Sequence, residues 1–81
     1  MTLRLDHYLS TVGVIKRRTE AKRLADSGLI SIRDSKVKAA HQIKPDDIIH
    51  IAGSQPVKIE VLALPAGSVR KDQREEYFRR L

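Results

Sequence analysis

The chain has 81 residues, with 16 Lys plus Arg against 10 Asp plus Glu, a net charge of +6 and no cysteine. That length holds one small domain. Without cysteine there is neither a disulfide framework nor a thiolate metal site, and three histidines do not make a structural zinc site. No apolar run approaches the roughly 20 residues that span a bilayer, and the N-terminus lacks the apolar stretch of a signal peptide, so a cytoplasmic protein is expected. A core this small has little room for a substrate cavity. A binding module is therefore expected rather than an enzyme, with a polyanion as its partner: nucleic acid or an acidic membrane surface.

The elements follow in chain order. Leu5, Tyr8, Leu9 and Val12 fall at i, i+3, i+4 and i+7, the apolar stripe of a short helix that Gly13 can end. A second helix is predicted from about Arg17–Thr19 to Ser27. Its inner face is Ala21, Leu24 and Ala25, Gly28 closes it, and Lys22 and Asp26 are spaced for an ion pair. The period then changes to two. Leu29 to Arg33 predicts a strand with Ile30 and Ile32 on one face, and Asp34-Ser35-Lys36 a turn. Residues 37–42 have no period. Lys44-Pro45-Asp46-Asp47 predicts a turn, Ile48 to Ile51 a second strand, Gly53 to Pro56 a turn and Val57 to Leu64 a third strand. Pro65 to Ser68 breaks the pattern. From Val69 or Lys71 to Leu81 a terminal helix is predicted, docked through Tyr77, Phe78 and Leu81. The fold class is α+β: two helices on a small, mostly antiparallel sheet, plus a C-terminal helix. Residues 1–64 form the domain, and 65–81 a linker and helix packed on it.

The charge is concentrated. Residues 1–44 hold ten basic and four acidic side chains, which is the whole net charge of +6. Residues 45–69 sum to −2 and residues 70–81 to +2. Within the first half, Lys16-Arg17-Arg18 precedes the second helix, where unsatisfied N–H groups and the positive end of the helix dipole favour phosphate. Three cations at that end oppose the dipole, so without an anion they are unfavourable. Arg18 and Lys22 lie one turn apart and can follow neighbouring phosphates; arginine grips phosphate in a fork, lysine as a point charge.

Nothing in the pattern points to catalysis. His7, His41 and His50 have no partner at ligand spacing, and Ser10, Ser27 and Ser31 sit in no nucleophile-elbow context. No cofactor or metal is expected. Aromatics are few: Tyr8 is expected in the core, Tyr77 and Phe78 at the docked C-terminus. With stacking platforms nearly absent, a nucleic-acid partner would be read by shape and phosphate rather than by base.

The run Arg4-Leu5-Asp6, the apolar helix, Arg18, Glu20-Ala21, Leu24, Gly28, Ile30-Ser31-Ile32, Lys38, Ile43, Asp47 and Ile51 closely resembles the RNA-binding domain of ribosomal small-subunit protein four, the alpha-L motif. The match runs from Leu3 to Ile51. It implies two angled helices on a small sheet, with RNA on the basic helical face. By the resemblance, Arg4 and Lys38 join Lys16, Arg17, Arg18 and Lys22 as RNA-binding candidates, and Lys36 lies beside Lys38. The bland alternative for Lys36 and Lys38 is a solvated loop. Asp6 is expected to be structural, either charging the helix start or holding an arginine by a paired hydrogen bond. Four positions depart from the family: Arg17 stands in place of a capping Ser, Arg33-Asp34 in place of an Asn-Gly turn, and Asp46 in place of Gly.

Many family members are appendages of RNA-modifying enzymes or synthetases, for which this chain has no room. Ile15 to Thr19 and Ala21-Lys22 look most like the small standalone members that act in ribosome-associated quality control. That similarity implies a noncatalytic, monomeric protein on the large ribosomal subunit. It would touch rRNA and peptidyl-tRNA, stabilise that tRNA during stalled translation, and work beside quality-control proteins. The rivals are a recycling factor of the fifteen-kilodalton heat-shock family, an interaction module working through its last helix, and a detached accessory of an RNA-modifying enzyme.

Overall fold

A computed structural model describes residues 3–81. In chain order the elements are β1 (Leu3–Arg4), α1 (Leu5–Thr11), α2 (Arg18–Asp26), β2 (Ile30–Ile32), β3 (Ser35–Lys36), β4 (Gln42–Ile43), β5 (Ile48–Ile51), β6 (Val57–Val61), a 3-10 helix (Lys71–Glu76) and β7 (Phe78–Arg80). The strands form a five-stranded antiparallel sheet, β3-β2-β5-β6-β7, and a short ladder of β1 with β4.

Register explains the core. Ile32, Ile49 and Ile59 lie opposite one another across β2, β5 and β6, and Ile30, Ile51 and Val57 form the next row. The strand period of two puts both rows on one face, against α1 and α2. Leu5, Tyr8, Leu9 and Val12 of the α1 stripe are fully buried against them, with Ala21 and Ala25 from α2. Each such aliphatic contributes about 1.5–3 kcal/mol on burial. The small alanines let α2 approach α1 closely.

The α+β class is as expected, with helices on an antiparallel sheet. Local details differ. The first hairpin turns at Arg33-Asp34, one residue early, because both adopt positive φ (52° and 68°), the geometry of a two-residue hairpin loop. Ser35 and Lys36 are then strand rather than turn. In α2 the pair Lys22–Asp26 does not form; Arg23 instead reaches Glu20 at 3.9 Å. Asp46 takes a left-handed backbone (φ 78°), a conformation that favours glycine. It is held there because its N–H donates to Val61 O at 2.8 Å and the Val61 N–H donates to Asp47 O at 2.8 Å. The buried Asp47 carboxylate accepts the Lys44 N–H at 3.0 Å.

The terminal helix is the main correction. Lys71–Glu76 is a 3-10 helix, and the chain then enters β7 instead of continuing helically. Residues 71–76 hold no apolar side chain to anchor an α-helix, and a helix this short does not stand alone. Meanwhile β6 would leave an open edge. Pairing Val61 with Phe78, Glu60 with Arg79 and Ile59 with Arg80 closes it. Arg79 and Glu60 add a cross-strand ion pair. Tyr77 joins the layers: its carbonyl accepts the Tyr8 hydroxyl at 2.7 Å and the Leu62 N–H at 2.8 Å. Burial pushes the Tyr8 phenol well above its ordinary pKa, so it remains a donor.

Candidate nucleic-acid interface

Arg4 ends β1 and is the residue immediately before α1, while Arg18 opens α2. Thirteen residues of helix and loop separate them, yet the packing of α1 on α2 brings both guanidinium groups to one carboxylate. Arg4 donates through Nε to Asp6 Oδ1 and through Nη2 to Oδ2, each at 3.2 Å. Arg18 Nε lies 3.4 Å from Oδ2. The His7 N–H donates to Oδ1 at 2.8 Å. The Asp6 side chain is only 4% exposed, but those of Arg4 and Arg18 are 48% and 49% exposed. Two cations are thus fixed on a buried anchor with their outer edges in solvent.

The electrostatics agree. Burial alone would raise the pKa of Asp6. The hydrogen bonds from Arg4 and the His7 N–H, with the nearby Arg18 charge, outweigh burial and hold it below the usual carboxylate value. The carboxylate stays charged and the cluster of two arginines and one aspartate keeps a net positive charge. Both roles considered for Asp6 in the sequence meet here: it sits in the first turn of α1 and holds an arginine in a paired hydrogen bond.

The two helix starts are treated differently. At α1 the Leu5 N–H donates to His41 O at 2.8 Å and the Asp6 N–H to Ala39 O at 3.2 Å, so the loop between β3 and β4 satisfies them. At α2 the preceding residue, Arg17, is extended (φ −124°, ψ 139°) and gives no side-chain cap. Its carbonyl accepts the N–H groups of Glu20 and Ala21, both at 3.1 Å. The start of α2 thus lacks the capping hydroxyl of a Ser and is bordered by cations, the setting in which an anion is most favoured.

Of the residues singled out in the sequence, Arg4 and Arg18 converge directly. Lys16 and Arg17 are exposed in the loop leading into α2, and Lys22 is exposed one turn beyond Arg18. Lys38 is exposed on the loop that closes the start of α1. Lys36 is placed apart. Its Nζ lies over Gly28, within 3.5 Å of where a Cβ would stand, beyond the C-terminal end of α2 and about 12 Å of helix from Arg18. A cation there complements the negative end of the helix dipole. The convergence of Arg18 on Asp6 was not legible from spacing, because it depends on how α1 crosses α2. Among the described residues no group of three His, Cys, Asp or Glu is placed to hold a metal ion, and no helix is long and apolar enough to cross a membrane.

The S4 domain model matches residues 3–49, the stretch that builds this cluster and both helices. The chain belongs to the S4 domain family. It is 36% identical over 76 residues to the RQC P-site tRNA stabilizing factor of Bacillus subtilis, covering 93% of this chain and 88% of that one. To the protein of the same name from Streptococcus pneumoniae it is 34% identical, over 86% and 81% of the two chains. In structure it is similar to heat shock protein 15 of Vibrio cholerae, with a TM-score of 0.89 at 16% identity over all of this chain and 83% of the other. The hypothetical protein HP1423 superposes with a TM-score of 0.82 at 26% identity, covering 98% and 96%.

Proposed function

We propose that this S4-family protein is a noncatalytic, cytoplasmic RNA-binding factor that contacts rRNA and tRNA on the large ribosomal subunit. It steadies peptidyl-tRNA there during quality control of stalled translation, acting as a monomer beside other quality-control proteins. The relatives named as stabilising factors for P-site tRNA, matched over more than four fifths of their length, support the task. The observation that carries RNA binding is the Arg4–Asp6–Arg18 cluster beside the uncapped start of α2.

The mechanism is an electrostatic clamp. Holding Arg4 and Arg18 on Asp6 before RNA arrives reduces the side-chain entropy lost on binding. Each guanidinium keeps an exposed edge for a phosphate, and Lys16, Arg17, Lys22 and Lys38 extend the positive surface around it. The fold supplies rigidity, so bound tRNA is biased toward one position. The likeness to heat shock protein 15 is one of fold, and a subunit-recycling role gains nothing further from it.

Gradient sedimentation tests the proposal. The protein is expected to travel with large subunits that carry peptidyl-tRNA, and the double variant Arg4→Ala/Arg18→Ala to stay at the top. Absence of the unaltered protein from every ribosomal fraction would overturn the assignment.

A further inference from the structure

The +2 charge of the last twelve residues takes no part in the cluster described above. These residues wrap around an open groove of about 540 Å³, where the 3-10 helix and β7 face the loop between α1 and α2. Lys71, Arg74 and Arg80 line it, with Glu75 as the acidic member, and Arg79 is taken up by Glu60. Among the described residues, no carboxylate lies within 4 Å of a side-chain nitrogen of Lys71, Arg74 or Arg80. The groove therefore holds three cations outside any ion pair, with Glu75 as its one acidic neighbour, unlike Arg4 and Arg18, which share Asp6.

Two of the three are held in place. The Arg74 guanidinium lies against Gly13, at a position (φ +80°) where any Cβ would collide with it. Its Nε is buried with no hydrogen-bond partner, so a charged group has been drawn partly out of water with no counter-ion. Arg80 sits over the Phe78 ring, 5.9 Å from its centroid. That covers a face of the ring on which a base would stack, while the Arg80 side chain remains exposed. Leu62 adds an apolar patch to the groove, but two fixed cations without paired carboxylates and a covered aromatic fit a phosphate backbone better than a stacked base.

We infer that the groove of Lys71, Arg74 and Arg80 is a second RNA-backbone site, separate from the Arg4–Arg18 cluster and joined to it by the loop from Gly13 to Arg17. It rests on the RNA-binding reading above and deepens it: two cationic faces on one rigid domain let the protein touch two RNA segments at once. Arg74 is a positioning residue as well as a cation, since its seat on Gly13 fixes the groove wall.

The test measures binding of unfractionated tRNA by fluorescence anisotropy over a salt series, using the full chain and the variant Lys71→Ala/Arg80→Ala. Both side chains are exposed, and an unchanged melting curve reports an intact fold; Lys71→Gln alone serves as a second, milder variant. The double variant is expected to bind about tenfold more weakly, with a log K against log salt slope shallower by about 2. Identical affinity and slope for the variant and the unaltered chain would overturn the second site while leaving RNA binding intact. Failure of the unaltered chain to bind tRNA at all would overturn both. Combining the variant with Arg18→Ala should multiply the two losses, as independent contacts require.

Discussion

At the scale of single residues, Asp6 decides more than its one charge implies. It is an acidic residue on a basic face, yet it orders both arginines. Replacing Arg18 by Ala removes one of the proposed phosphate contacts and is expected to weaken RNA binding by about 1–2 kcal/mol without unfolding the domain, because the side chain is half exposed. Asp6→Asn is expected to cost more in two respects: the arginines lose their shared anchor, and stability falls by about 1–3 kcal/mol. Affinity and melting temperature measured on the same samples separate the two losses. The pH dependence has a definite sign. A carboxylate with a folded pKa below its unfolded value, about 3.9, stabilises the fold above that value and loses the contribution as pH falls through the lower one. The stability gap between the unaltered chain and Asp6→Asn should be constant above about pH 5 and shrink below pH 4. A gap that widened in acid would contradict the ion-pair account.

At the scale of elements, two joints are open to test. The hairpin between β2 and β3 places Arg33 and Asp34 at positive φ, which costs side-chain-bearing residues more than Asn and Gly. The double change Arg33→Asn/Asp34→Gly should raise stability by about 1 kcal/mol in urea titrations at unchanged m-value. The second joint is the Tyr8–Tyr77 hydrogen bond between α1 and the segment leading into β7. Tyr8→Phe keeps the core filled and removes the hydroxyl donor, while the Tyr77 carbonyl keeps the Leu62 N–H. It should cost about 0.5–1.5 kcal/mol and speed amide exchange in residues 77–80 first. Helix starts and stops were readable because their signals are local: the apolar spacing of Leu5 to Val12, and Gly13 and Gly28 at positive φ. The C-terminal element was not. Tyr77, Phe78 and Leu81 have a spacing that fits a helical turn equally well, and the strand exists because β6 offered an edge to pair with.

At the scale of the whole molecule, charge sets behaviour. If four to six phosphates are neutralised, log K for RNA should fall against log salt with a slope of roughly −3 to −5. A flat response would remove the clamp altogether. The amino-acid sequence by itself determined the α+β class, the two helices and their buried stripes, the isoleucine strands and the concentration of positive charge before and within α2. These follow from residue type and short-range period, which act before the chain is folded. Only the tertiary structure decided which charges meet. Arg4 and Arg18 converge on Asp6, Lys36 is carried to the far end of α2, and the last residues become an edge strand that sets Arg74 against Gly13. Each depends on the crossing of two helices or the open edge of a sheet, contacts between residues far apart in the chain that no local spacing encodes.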